Sequence, residues 1–171
     1  MSRPPAFDPY AVFEVLGRQR VSYVVVGGFA RVVHGSAETT RGLDIVPSLR
    51  EENLRRLARA LEELDARGPD GKQVGLELDP SSEPLTARTR AGELTIVPVP
   101  WGTRGYDDLR IRAFRENLGR GVRPAVASLV DCVRMLDASE REPDRERLYR
   151  FRRMMELERK LVRQRVRTIE R

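Results

Sequence analysis

Two glycines and one aspartate offer the clearest chemistry in this chain. Tyr23 to Val26 is an apolar run that predicts a buried strand, and Gly27-Gly28 then opens a short amphipathic helix carrying Phe29, Ala30, Val32 and Val33. Free N–H groups at a helix start attract anions, and glycine lets the backbone approach one closely. Gly27 and Gly28 are therefore candidate contacts to a triphosphate. Thr39 and Thr40 follow in a loop, where their hydroxyls either bond a triphosphate or satisfy the loop itself. Leu43-Asp44-Ile45-Val46 predicts a second strand with a carboxylate inside it. Residues 42 and 44 share a strand face, and two acids there would hold a divalent metal between them. Position 42 is glycine, which leaves Asp44 as the candidate catalytic residue and a weak metal ligand. His34, the only histidine, fits a helix-terminal packing or capping role better than proton transfer.

Positioning these residues requires a layered scaffold. Asp8-Pro9 predicts a capped helix carrying Ala11, Val12, Val15 and Leu16. Ser48 is placed to cap a helix over about 50–66, where Leu54, Leu57, Ala58, Leu61 and Leu64 recur at helical spacing. Gly68-Pro69-Asp70-Gly71 marks a turn, and alternation predicts strands over 74–79, 85–90 and 94–97, an antiparallel flank. Residues 101–105 read as loop, 106–113 as a short helix, and 119–124 as irregular or edge strand. Ser128 and Asp131 start a further helix, Glu142-Pro143 breaks it, and a last helix runs from Asp144 to about Arg167. In that helix Tyr149, Phe151, Met154 and Met155 are expected in the core. The pattern predicts an α/β (α+β) fold, a mixed sheet with helices mainly on one face. Residues 1–143 form the main domain and 144–171 a basic C-terminal helix.

The wording Gly27-Gly28-Phe29-Ala30, His34-Gly35 and Thr39-Thr40-Arg41-Gly42-Leu43-Asp44 resembles the DNA polymerase beta-like nucleotidyltransferase superfamily. Within it the likeness is to bacterial type IV toxin nucleotidyltransferases of the abortive-infection kind. Residues 94–109 look like the family's third-acid strand with Thr95 at the acid's position, and 127–144 like its next helix with Arg141 and Asp144 retained. A lysine common in that helix falls near Leu136. The resemblance spans roughly residues 20–148 and implies transfer of a nucleotidyl group from a nucleoside triphosphate, with Mg2+, to an acceptor such as RNA. It implies Asp44 as catalytic residue and metal ligand, and Arg141 and Asp144 behind the metal or on the acceptor side. Two of the family's three metal-binding acids are here Gly42 and Thr95, so weak or no activity is expected: a pseudoenzyme. Glu38 and Glu93 are the nearest candidates to replace them, and restoring acids at 42 and 95 together is expected to create Mg2+ binding.

The net charge of +6 is concentrated in the tail: residues 1–144 carry 21 basic and 22 acidic side chains, residues 145–171 carry 11 and 4. Such a local excess favours a polyanion or is a solvated helix face. Arg152, Arg153, Arg159, Lys160, Arg163, Arg165 and Arg167 are the candidate nucleic-acid contacts. Candidate partners are RNA or another polyanion, a cognate antitoxin, or a second copy of the chain. The alternative function is accordingly a non-catalytic nucleic-acid-binding or toxin–antitoxin interaction module built on the basic helix. Cys132 is alone, which excludes an intrachain disulfide, and no apolar run reaches the ~20 residues of a membrane span. A cytoplasmic location without membrane attachment is expected.

Overall fold

The computed structural model describes the backbone of residues 6–169 and the side chains of residues 6–165. In chain order its elements are α1 (Pro9–Arg18), β1 (Tyr23–Val26), α2 (Gly27–Val33), β2 (Gly42–Pro47), α3 (Glu51–Glu63), β3 (Leu85–Thr89), β4 (Gly92–Ile96), α4 (Tyr106–Leu109), β5 (Phe114–Arg115), β6 (Ala125–Val126), α5 (Leu129–Ala138) and α6 (Glu142–Ile169). The strands form one mixed sheet ordered β3-β4-β2-β1-β6-β5. β1–β2, β3–β4 and β5–β6 are antiparallel, while β2–β4 and β1–β6 are parallel.

Local chemistry explains most of the boundaries. The Asp8 carboxylate accepts from the Ala11 N–H at 3.2 Å and Pro9 follows it, so α1 starts where the sequence places it. Its Val12, Phe13, Val15 and Leu16 enter a core shared with Leu43, Ile45, Leu94 and Ile96 of the sheet and Leu57, Ala60 and Leu61 of α3. Ser128 caps α5, accepting from the Asp131 N–H at 3.1 Å and donating to its carboxylate at 2.8 Å.

The structure differs from the sequence expectation at six places. Ser48 does not cap α3: it closes β2, donating its N–H to Ser22, and the helix starts later with Arg50 at the cap. Glu51 and Glu52 face the helix dipole there instead, and buried Asn53 ties the start down by donating to the Ser22 and Ser48 carbonyls. Residues 74–79 form no strand. Val74, Leu76 and Leu78 do turn inward, but the outer edge of β3 is taken at Arg88 by Arg67, whose backbone exchanges both bonds at 2.8 Å. The helix at 106 stops at Leu109. β6 is too short to leave a sequence signal, yet it pairs with β1 at Val25↔Val126. Tyr149 is 64% exposed rather than in the core, Met154 and Met155 are half-buried, and Phe151 alone of that group is fully covered. Pro143 lies in the first turn of α6, where its missing N–H costs nothing, and the break falls at 139–141. No helix among the described residues is long and apolar enough to cross a membrane.

Candidate functional site

A row of side chains crosses the sheet in register: Thr86 opposite Thr95, Thr95 opposite Asp44, Asp44 opposite Val26. Val26 leads directly into Gly27, so the strand order brings the Gly-Gly turn against the one acid of the row. The fit is close. Gly27 has φ +65°, and a Cβ there would lie 1.9 Å from Asp44 Oδ2, so only glycine serves. The Gly28 N–H and the Thr95 hydroxyl both donate to the Asp44 carboxylate. Thr86 and Thr95 hydroxyls are 3.0 Å apart, extending the chain of bonds to β3. Asp44 thus takes the place at the start of α2 that an incoming anion would take, and α2 has no other side-chain cap. Burial raises the Asp44 pKa, opposed by Arg31, by these two hydrogen bonds and by Arg141.

These residues open onto a groove of about 630 Å³ whose lining includes Arg31, Asp44, Arg141 and Asp144, together with Ser139. Arg31 is held by a fork of two bonds to Glu38, Nε to Oε2 at 2.8 Å and Nη2 to Oε1 at 2.7 Å. Ser36 donates to the same carboxylate at 2.8 Å, and Arg147 Nε stands 3.8 Å away. Burial pushes the Glu38 pKa up, but the bonds from Arg31 and Ser36 and the charges of Arg31 and Arg147 hold it below the usual range. Asp144 is 6% exposed; it accepts from Ser139 at 2.6 Å and Arg147 at 2.7 Å and pairs with Arg141 Nε at 3.3 Å. Burial likewise raises its pKa, and the bonds from Ser139 and Arg147 with the charges of Arg141 and Arg147 bring it below the ordinary value. Cys132 backs the groove as a buried thiol pushed up to about 12 by desolvation, which makes it unreactive.

The structure brings together Gly27, Asp44, Thr95, Arg141 and Asp144. Gly28 reaches the site through its N–H. Thr39 and Thr40 stay outside the groove lining: Thr39 is exposed and Thr40 donates to the Gly42 carbonyl at 2.7 Å, so Thr40 satisfies the loop. His34 closes α2 and its Nε2 lies 2.8 Å from the Ala127 carbonyl, a packing role. Glu38 cannot substitute for a lost acid, because Arg31 and Ser36 occupy both its oxygens. Glu93 is exposed and lies outside the groove lining.

Position 42 is closed as well. A Cβ on Gly42 would stand 2.7 Å from the Glu93 carbonyl oxygen and 3.0 Å from the Glu93 Cβ, so β2 and β4 pack on the missing side chain. Among the described residues no three His, Cys, Asp or Glu side chains converge as metal ligands. One carboxylate already bonded to Thr95 and Gly28 does not fit the bridged metal pair of nucleotidyl transfer. Sequence reasoning missed Arg31 and Trp101, both in the groove lining. An arginine on the exposed flank of a glycine-opened helix, and a lone tryptophan beside a glycine, were the available signals.

Of the tail residues, Arg152 pairs with Asp137 at 2.6 Å. Arg153, Arg159, Lys160, Arg163 and Arg165 are exposed and no ion pair reaches them among the described residues. The Arg167 side chain lies outside the described residues.

No protein-family model and no curated protein matches the sequence. Solved structures do match the fold. The antibiotic-resistance factor ANT(2'')-Ia in solution aligns with TM-score 0.54 at 15% identity, over 95% of this chain and 92% of that one. The same factor in complex with adenylyl-2''-tobramycin gives 0.55 at 16%, over 92% and 96%. TM1012 of Thermotoga maritima, a protein assigned to the nucleotidyltransferases, gives 0.54 at 16%, over 93% and 97%. Over more than nine-tenths of its length, this chain has the nucleotidyltransferase fold.

Proposed function

We propose that this chain is a nucleotide-binding protein of nucleotidyltransferase descent whose metal platform is gone, leaving weak or no transferase activity. The observation that carries this proposal is the row Thr86-Thr95-Asp44: a hydroxyl, not a second carboxylate, stands opposite the one acid. Phosphoryl-type transfer depends on positioning and on neutralising charge, so a site with one acid forfeits most of the rate. The reaction of its ancestors would pass a nucleotidyl group to a hydroxyl, and the toxin-like motifs favour RNA as that acceptor. In this chain Arg141 would receive the phosphates of the nucleotide, while Asp44 occupies the Gly-Gly turn that would otherwise cradle them. Each groove cation is answered by a carboxylate, Arg31 by Glu38 and Arg141 by Asp144. A triphosphate must displace those partners, so an affinity of about 1 mM is expected. Calorimetric titration with ATP, with and without Mg2+, together with labelled nucleotide and RNA, tests this. Binding indifferent to Mg2+ and no label in RNA is the expected result. Incorporation at an ordinary enzymatic rate would overturn it.

A second function rests on five cations of α6 that have no ion pair among the described residues. Phe151 is covered and Asp144 lies in the groove, so the exposed helix beyond Phe151 would hold RNA or another polyanion, or dock an antitoxin or a second copy of the chain. Its discriminating measurement is the salt titration argued at the end of the Discussion.

A further inference from the structure

The groove is lined by two chemically different sets of side chains. Beside the charged residues its lining includes Val97, Val99, Met135 and Trp101, the only tryptophan of the chain, 57% exposed. Its exposure is not looseness of the backbone. The next residue, Gly102, has φ +74°, and a Cβ there would meet the Ala138 Cβ at 2.8 Å and the Arg134 carbonyl at 2.9 Å, so the turn is pressed onto α5. Thr103 donates from its hydroxyl to the Pro100 carbonyl at 2.8 Å. The Arg104 N–H is held at 2.9 Å by Asp108, itself buried and paired with Arg134 at 2.9 Å. A fixed turn thus presents an indole at the rim, where it completes no core.

We infer that Trp101 is a stacking platform for the nucleobase of a nucleotide whose phosphates lie toward Arg141. The inference rests on the proposed nucleotide binding and deepens it. A nucleotide is the ligand class that uses both sets of groove residues: a planar apolar face for the indole and an anion for a guanidinium. An indole held in advance loses little freedom when a base covers it. Stacking engages the π-face common to all bases, so the platform binds purine or pyrimidine nucleotides without selecting one by hydrogen bonds.

Because the chain has one tryptophan, its emission reports this contact directly. The full chain would be titrated with ATP, adenosine and tripolyphosphate, each followed by indole fluorescence and by calorimetry. Saturable quenching by ATP and adenosine but not by tripolyphosphate is expected. Trp101→Ala should weaken ATP on the order of 10-fold and leave tripolyphosphate unchanged, while Trp101→Phe retains most of the ATP affinity. Heat of ATP binding without quenching, and with unchanged affinity in Trp101→Ala, would overturn the stacking and leave nucleotide binding standing. No heat from ATP or adenosine at millimolar concentration would overturn both.

Discussion

Thr95 stands directly opposite Asp44 on the parallel strand and donates its hydroxyl to the Asp44 carboxylate. The position from which a second acid would share a metal is thus filled by a group that instead neutralises nothing and holds the first acid still. Thr95→Asp would put two carboxylates on strands about 4.8 Å apart. Without metal they repel and the fold loses stability; with Mg2+ they bind it. The melting temperature of Thr95→Asp should rise on the order of 3–6 °C at about ten times the Mg2+ dissociation constant, while that of the unaltered chain stays put. Equal Mg2+ response in both would show that the row is not the site.

Gly42→Asp should behave oppositely. The 2.7 Å approach to the Glu93 carbonyl leaves backbone, not a flexible side chain, in the way. We expect a loss of about 1–3 kcal/mol in denaturant unfolding, and no Mg2+ binding when it is combined with Thr95→Asp beyond what Thr95→Asp supplies. Mg2+ binding in the double variant beyond that of Thr95→Asp alone would instead favour the expectation from sequence that acids at 42 and 95 act together.

Asp44 carries a pH signature. Burial raises its folded pKa, so between the unfolded value of about 4 and the folded value the native state binds the extra proton. The sign follows: stability attributable to Asp44 is highest in acid and falls as pH rises through the folded pKa. Asp44→Asn removes that slope while its amide oxygen still accepts from Gly28. It should be the more stable form at about pH 7 and lose its advantage near pH 4. Parallel stability curves for the two proteins would contradict the burial argument.

Strand, glycine pair and helix were legible in the sequence because each depends on residues close along the chain or on a fixed strand period, while the placing of Thr95 beside Asp44 followed from the family resemblance. What stayed hidden depends on distance. The fork between Arg31 and Glu38 joins a helix to a loop whose path no periodicity encodes. Gly42 is visible as a missing acid, but the closure of β4 onto it is a tertiary fact. β6 has only Ala125–Val126 paired, too few residues for alternation to register. Residues 74–79 alternate as a strand would, and the alternation is realised in burial without a ladder, since pairing needs a free edge and Arg67 takes it.

Glu38→Gln tests the fork. Arg31 and Glu38 side chains are only 14% and 18% exposed, so removing the charge leaves a guanidinium poorly matched in a largely covered place. A cost of about 2–4 kcal/mol is expected. Because the Glu38 pKa is lowered in the fold, its contribution is full above the unfolded value of about 4.3 and is lost as pH falls through the folded value. The difference between the two proteins should therefore shrink in acid. Freed of its partner, Arg31 should also bind ATP phosphates better, and calorimetry should show tighter binding in the folded Glu38→Gln protein. Unchanged affinity would mean that Arg31 does not face the ligand.

The tail prediction separates a polyanion site from a solvated helix. Arg152 is already paired with Asp137, which leaves Arg153, Arg159, Lys160, Arg163 and Arg165 as cations without ion pairs among the described residues. If four of them meet phosphates, log affinity should fall with log salt at a slope of roughly −3 to −4, about 0.7 to 0.9 per contact. Deleting 158–171 removes all but Arg153 of that set. It should spare the fold, because Leu161 and Val162 are 58% and 62% exposed and stabilise no core in the monomer. Binding to single-stranded and duplex RNA would be titrated with salt, with and without the deletion, and the melting temperature followed alongside. A slope that flattens at constant melting temperature assigns the phosphate contacts to the tail. No binding at ~50 mM salt, or a slope unchanged by the deletion, removes nucleic acid as its partner, and a fall from dimer to monomer mass on deletion would then identify the exposed Leu161 and Val162 as a contact between copies of the chain.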